Sequence, residues 1–527
     1  MSTQSHGRAF VLGFDGVPWD LVVRWSDAGE LPNFARLFAE GAAGPLESTK
    51  PANTPVAWPA IATGTWPDRH GVYEFVKLGA DYTQRPYSRN DIREPVLWEQ
   101  LTPAVVGNVP LTYPPAEIDG ALVTGMLTPS ASARFAHPKS LEAQIRRELP
   151  DYQFELKWHE YGDRTEAFLA DLERLVANRR KLMELLMERE DWRLFFFVYV
   201  APDRLQHLVW DDDVLLNHYR TLDDILGEVM AYVEAREATL FVVSDHGFGP
   251  VSRVVSVNRL LVETGYLVPR SQTGVRGALS KLGLDKTRVL AALSRVGITD
   301  RLLVQYLPPG VLKSAAARIP GDHQLYDVDY RRTTAFLHGL GSVYVNDTAR
   351  FTPGAVSPSD RPRIKAELAA LLAALTDPET GAPVLSVFDG ATLNPRDPNG
   401  PDLVITAREG YHVDPSLGPE VVGDVTGVAA YHRPDGIFFA WGPDVAAGVA
   451  PTEAWVVDVA PTVLHAAGES IAKDSDGRVL TEIFAPDSET ARREIKSRAY
   501  RRTQSAGIVE EDYSAVEDRL RGLGYLE

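Results

Sequence analysis

Three short stretches of this sequence end an apolar run in acids or imidazoles that could hold metal ions. Phe10–Phe14 ends at Asp15, Leu194–Val200 leads to Asp203 and His207, and Leu240–Val243 ends at Ser244, Asp245 and His246. His432 stands just before Arg433–Pro434–Asp435–Gly436 and a further apolar run. Asp203 and His207 are four apart, which on a helix puts both on one face. A hydroxyl that could be activated by such a centre is Thr54, followed by Pro55. The pair predicts a helix N-terminus with Thr54 as cap and proline in the first turn. The positive end of a helix favours an alkoxide and an incoming phosphate, and a hydroxyl needs an activator because its free pKa is high. Each residue has an ordinary alternative: Thr54 as a structural cap, Asp after a strand as a turn residue, His as a satisfied polar group. The joint placement at several strand ends is what points to chemistry.

The elements that must position these groups follow from hydrophobic patterning. Continuous β-branched and aromatic runs read as strands buried on both faces, and Leu403–Ile405 and Ile437–Phe439 add two more. Between them lie helical patterns. The clearest covers Glu166 to Glu188, with Phe168, Leu172, Leu175, Leu182 and Leu186 on one face. Alternating strands and helices predict an α/β fold with a mainly parallel central sheet flanked by helices. Ligands of such sheets bind beyond the carboxyl ends of the strands, so the acids and histidines should converge. Pro59 is an awkward residue inside so short a helix as the one at Thr54.

Composition narrows the chemistry. The chain has 527 residues, 44% hydrophobic and 24% charged, with a net charge of −18. That length predicts two structural units or a core with large insertions. No basic stripe of a duplex nucleic-acid binder is present. With no cysteine, any metal must sit on Asp, Glu and His. No apolar run suits a signal region or a membrane span, so the expectation is a cytoplasmic protein acting on a small molecule.

The ordered set Asp15–Gly16, Thr54–Pro55, Thr63–Gly64, His70–Gly71, Asp203 with His207, Asp245–His246–Gly247 and His432 resembles the alkaline phosphatase superfamily. Within it the chain is most similar to the type I phosphodiesterase/nucleotide pyrophosphatase branch. Val257–Asn258–Arg259–Leu260, Val459–Ala460–Pro461–Thr462 and Asp476–Gly477–Arg478 are further echoes. The resemblance implies an alkaline-phosphatase-like core and hydrolysis of phosphate esters, most of all phosphodiesters or pyrophosphates, a nucleotide being one candidate substrate. It implies two divalent metal ions, zinc first, with manganese or iron as alternatives. Asp203, His207 and His432 would hold one; Asp15, Asp245, His246 and the Thr54 oxygen the other. Thr54 would form a phospho-threonine that water then hydrolyses.

In one respect the chain departs from that branch. An Asn that contacts a phosphate oxygen is expected downstream of the nucleophile, but the stretch here is Val72–Tyr73–Glu74–Phe75. Asn53 either substitutes for it or is a turn residue. A phosphomonoesterase on the same core is the nearest rival, and a non-catalytic binding protein that keeps the fold is a third reading. A sulfatase is disfavoured by Thr at the nucleophile position. His70 is expected to be structural, while His137, His159, His323, His338 and His412 are unplaced. The expected division is a core in two parts, 1–250 and 402–487, a cap at 251–401, and a tail at 488–527 ending in a helix with Val516, Leu520 and Leu523.

Overall fold

The computed structural model describes residues 7–130, 132–156, 158, 161, 164–270, 328–503, 505, 507, 515–517 and 520. Residues 271–327 of the expected cap, His159, His323 and Leu523 of the expected terminal helix lie outside these.

The chain is an α/β protein built on a nine-stranded sheet. In chain order its strands are β1 (Ala9–Phe14), β2 (Ala42–Glu47), β3 (Ala104–Val109), β4 (Gly120–Thr124), β5 (Ala136–His137), β6 (Leu194–Tyr199), β7 (Thr239–Val243), β8 (Asp435–Trp441) and β9 (Ala454–Trp455). Their spatial order is β9-β2-β8-β7-β1-β6-β3-β4-β5. The five at the centre, β7-β1-β6-β3-β4, are mutually parallel. β8 enters antiparallel between β7 and β2, and β5 closes the other edge antiparallel to β4. Every residue of β1, β3, β6 and β7 is buried, which is why these strands are nearly all apolar: helices cover both faces. Those helices include α2 (Thr165–Met187), which contacts β3 and β6, and α4 (Asp212–Glu234), which contacts β7.

Two shorter helices carry chemistry-bearing residues. α1 (Thr54–Thr63) is wholly buried and ends at Gly64 in the left-handed conformation. Its cap differs by one residue from the sequence expectation: Asn53 is the N-cap, its carbonyl accepting from Val56 N at 3.0 Å and Ala57 N at 2.9 Å, and Thr54 is the first helical residue. Pro59 is accommodated within the helix. α3 (Ala201–Leu208) starts just after β6 and holds Asp203 and His207 one turn apart.

A second hydrophobic cluster sits beside the main one. It centres on a four-stranded antiparallel sheet in the order Ala335–His338, Ser342–Val345, Leu403–Ala407, Leu385–Asp389. The apolar run at Leu403 thus belongs to this sheet and not to the main one. The long strand Gly247–Ser256, leaving β7, pairs with Gly410–Asp414, Val422–Asp424 and Ala430–Arg433. Of the tail's expected apolar residues, Val516 and Leu520 are buried in the main core.

The packing of α1 on the sheet depends on Gly13. A Cβ there would stand 2.4 Å from the Trp58 ring and 2.8 Å from Val198 Cγ2, so α1 approaches β1 only because position 13 has no side chain. Gly13→Ala is expected to destabilise the fold by about 1–3 kcal/mol through overpacking. A thermal melt checks this, and an unchanged Tm would contradict the packing argument.

Candidate two-metal site

Three neighbouring parallel strands, β7, β1 and β6, end at the same edge of the sheet, and their acids follow at once. Asp15 directly follows β1, its N–H donating to Tyr199 O of β6 at 2.9 Å. Asp245 and His246 follow β7, and Asp203 follows β6 in the first turn of α3. His432 arrives from the antiparallel partner strand, in register with Phe248. The turn after Asp15 needs glycine: Gly16 has φ +74° and a Cβ would lie 3.1 Å from the Asp203 backbone. Gly16 N donates to Asp245 Oδ1 at 3.2 Å, which orients that carboxylate.

The ligand atoms gather in two groups, Asp203–His207–His432 and Asp15–Asp245–His246. In the first, His432 Nε2 lies 3.3 Å from Asp203 Oδ1 and 3.2 Å from His207 Nε2. In the second, His246 Nε2 lies 3.3 Å from Asp245 Oδ2 and 3.8 Å from Asp15 Oδ1. The groups adjoin, with His246 Nε2 3.9 Å from Asp203 Oδ1. Thr54 Oγ1 sits at the second group, 3.2 Å from His246 Nε2 and 3.4 Å from Asp15 Oδ1. The structure therefore brings together all seven residues singled out in the sequence.

These atoms suit cations. His246 Nδ1 lies 3.1 Å from Gly247 O and His432 Nδ1 3.2 Å from Ala52 O. A carbonyl can only accept, so each Nδ1 carries a proton, and the ring in its neutral form presents its lone pair at Nε2. Those lone pairs face carboxylate oxygens, which are acceptors too. Asp203 Oδ1 and Asp245 Oδ2 are buried and accept no hydrogen bond. Such an arrangement of converging acceptors is unfavourable without positive charge between them.

The electrostatics agree. Burial first, then repulsion from Asp245 and Asp203, holds the Asp15 carboxyl well above its usual range. Asp245 is raised by burial and by Asp203. His246 is pushed far down by burial and by His432. Asp203 goes the other way: burial opposes ionisation, but His207 and Arg204 outweigh it and hold it well below the carboxylate range.

Several supporting residues were not foreseen. Trp58, one turn after Thr54 on α1, donates from Nε1 to Asp15 Oδ2 at 2.8 Å, leaving Oδ1 for the site. Its i+4 spacing from Thr54 was a usable signal. Arg204 donates to Asp203 Oδ2 and, at 2.8 Å, to Glu155 Oε1, all three groups being buried. Trp158 stacks on His207 with ring centroids 4.9 Å apart and planes 5° apart. Glu155 and Trp158 come from a loop with no local pattern. Of the other histidines, His70 is buried, accepts from Val72 N and is lowered to about 3 by burial and Arg93, as suits a structural role. His338 faces Val76 O, and His412 stacks on Tyr431 beside His432.

The model of the type I phosphodiesterase/nucleotide pyrophosphatase family matches residues 9–425. The chain belongs to that family. No curated protein matches it. Among solved structures it is similar to murine ectonucleotide pyrophosphatase/phosphodiesterase 5, an inactive variant in complex with AMP, at 11% identity, covering 91% of this chain and 100% of that one with a TM-score of 0.51. The human counterpart follows at 12% identity, 90% and 99% coverage and a TM-score of 0.51. At such identities the likeness speaks for the shared fold. Family membership and the two acid–imidazole clusters make this phosphodiesterase-family chain a metal-dependent hydrolase of phosphate esters. The cytoplasmic expectation does not stand: the solved structures that share the fold are ectonucleotide enzymes. Among the described residues no helix is long and apolar enough to cross a membrane.

If Trp58 orients Asp15, then Trp58→Phe, which keeps the ring packing but loses the N–H, should weaken divalent-metal affinity by about 10–100-fold. A zinc competition titration reads this directly. Unaltered affinity in a folded variant would remove Trp58 from the account.

Proposed function

We propose that the chain hydrolyses small phosphodiesters or pyrophosphates, a nucleotide being one candidate, through a phospho-threonine on Thr54. The observation that carries this reading is the position of Thr54 Oγ1, at the first turn of α1 and within 3.4 Å of both His246 Nε2 and Asp15 Oδ1. Asp203, His207 and His432 would hold one divalent ion, and Asp15, Asp245, His246 and the Thr54 oxygen the other. Zinc suits this mixture of carboxylate and imidazole, with manganese and iron as alternatives. When bound, the two ions supply Lewis acidity to the attacking and departing oxygens of an in-line displacement.

The chain's own groups do the rest. Thr54 donates to Asp15 Oδ1, so its proton has an acceptor as Oγ1 attacks phosphorus. The bond from phosphorus to the alcohol or phosphate leaving group breaks, and Thr54 carries the phosphoryl group. The N-terminal end of α1 favours the negative charge there. In the second half water attacks the same phosphorus, the bond from Oγ1 to phosphorus breaks and releases the phosphate product, and the proton held by Asp15 returns to Oγ1.

Room for a second ester group supports the diester. A cavity of about 250 Å³ flanks His432, walled by Leu340, Phe388, His412 and Tyr431. The guanidinium of Arg204, beside Asp203, is engaged by Glu155 and Asp203 and is not offered to a dianionic monoester. Leu340 in that wall also supports reading 251–401 as a cap over the core, with Leu403–Ala407 carrying the small sheet past the expected boundary at 402 and 488–527 as a tail.

The test is kcat/KM of the zinc-loaded protein on bis(p-nitrophenyl) phosphate against p-nitrophenyl phosphate. The diester is expected to lead by more than tenfold, about 1.4 kcal/mol, and Thr54→Ala to abolish turnover. A lead for the monoester would reassign the chain as a phosphatase. Turnover surviving in Thr54→Ala would refute the nucleophile.

A further inference from the structure

The apolar stripe of α2 runs through Phe168, Leu172, Leu175, Leu182 and Leu186, all buried, and helical spacing puts one more position on that face between Leu175 and Leu182. Arg179 stands there, 2% exposed. Its Nε, Nη1 and Nη2 atoms are buried, and among the described residues none of the three donates a hydrogen bond. Arginine is almost never this buried without a partner. The guanidinium carbon lies over the Tyr152 ring, 4.5 Å from its centre. A ring face attracts the cation but leaves the N–H groups in the guanidinium plane unanswered.

Tyr152 repeats the pattern. Its hydroxyl is buried and has no hydrogen-bond partner among the described residues. Burial raises that hydroxyl above its ordinary range, against the pull of Arg179, so it keeps a proton to donate. Asn178 Nδ2 donates to Asp151 O at 3.5 Å, which holds this stretch of loop against α2. Three guanidinium nitrogens and a hydroxyl thus offer hydrogens, and no acceptor answers them. Leaving such groups unpaired in the interior is strongly unfavourable, most of all for the charged one. The nearest acid in sequence on that loop, Glu155, gives Oε1 to Arg204 at 2.8 Å. The group that satisfies all these donors carries negative charge, and because the four atoms are closed to solvent it is small.

We propose that Arg179 and Tyr152 form a site for one small inorganic anion, of the size and charge of chloride, and that the bound anion steadies the loop that carries Tyr152, Glu155 and Trp158. That loop braces the first cluster. Glu155 holds Arg204, which also donates to Asp203 Oδ2, and Trp158 stacks on His207. The anion site stands whether or not Thr54 is the nucleophile. Only its effect on the cluster rests on the two-metal reading.

Thermal melts of zinc-loaded protein in sodium chloride and in sodium methanesulfonate of equal ionic strength test the site. Wild type should melt about 2–4 °C higher in chloride. Arg179→Met, uncharged and of similar length, should lose that difference. In methanesulfonate it should melt no lower than wild type, because the charge it removes has no counter-ion there. Tyr152→Phe should keep only part of the chloride effect. A crystal soaked in sodium bromide should show an anomalous peak between the guanidinium and the Tyr152 hydroxyl. Equal melting of wild type in both salts, or a chloride effect that survives Arg179→Met, overturns the site. A bromide peak without the difference in melting is binding at crystal concentration only, and overturns it too. For the loop, a zinc competition titration should give about tenfold weaker affinity for wild type without chloride, and for Arg179→Met in either salt. Wild-type zinc affinity alike in both salts strikes the effect on the cluster, and the melts still decide the site.

Discussion

Three carboxylates, Asp15, Asp203 and Asp245, are buried within reach of one another at the end of a parallel sheet, and their mutual repulsion is the constraint the rest of the site answers to. A buried, unpaired carboxylate costs several kcal/mol, and no fold places three together without a reason. Part of the cost is met by protein groups. Arg204 takes Asp203 Oδ2, Trp58 takes Asp15 Oδ2, and Gly16 N takes Asp245 Oδ1. In each case one oxygen is tied back and the other is left toward the site. The histidines follow the same rule: His246 and His432 are fixed through Nδ1 by backbone carbonyls and turn Nε2 inward. Six groups from distant parts of the chain thus bring ligand atoms to two adjoining points.

That convergence follows from topology. β7, β1 and β6 are neighbours and parallel, so their carboxyl ends coincide, and residues far apart in sequence become adjacent. The nucleophile comes from a different direction. α1 lies against β1 through Trp58 and Gly13, which sets both the depth of Thr54 and the orientation of Asp15. One aromatic side chain therefore couples packing to ligand geometry. His432 is delivered by the strand pairing that follows Gly247, outside the main sheet, so the first cluster depends on both bodies of strands.

Much of this was legible because buried parallel strands announce themselves. Phe10–Phe14, Leu194–Val200 and Leu240–Val243 are apolar throughout, and the first acids after each are the ones the structure gathers. The i,i+4 pair Asp203 and His207 was readable for the same kind of reason, a fixed helical period. Other features left no local trace. Leu403–Ile405 announces a strand but not its sheet, since sheet membership is decided by pairing at long range. Ala104–Val109 is a central strand that Gly107 and Asn108 disguise. Glu155 reaches Arg204 from an irregular loop, and no spacing rule foretells that contact. The shift of the α1 cap from Thr54 to Asn53 is the usual one-residue uncertainty of a helix boundary, but it moves Asn53 into the role of the buried neighbour of the nucleophile. The cytoplasmic expectation rested on the lack of an apolar signal or membrane-spanning run, and such an absence says little about address.

The central claim is that the two clusters exist to bind cations, and counting them tests it most directly. Protein equilibrated with zinc, freed of excess and analysed by mass spectrometry for metal per chain should carry two ions, one for each cluster. Asp203→Asn and Asp245→Asn, each folded as judged by circular dichroism, should each lose at least one. A wild-type chain with fewer than two ions, or a count that neither substitution changes, would contradict the account.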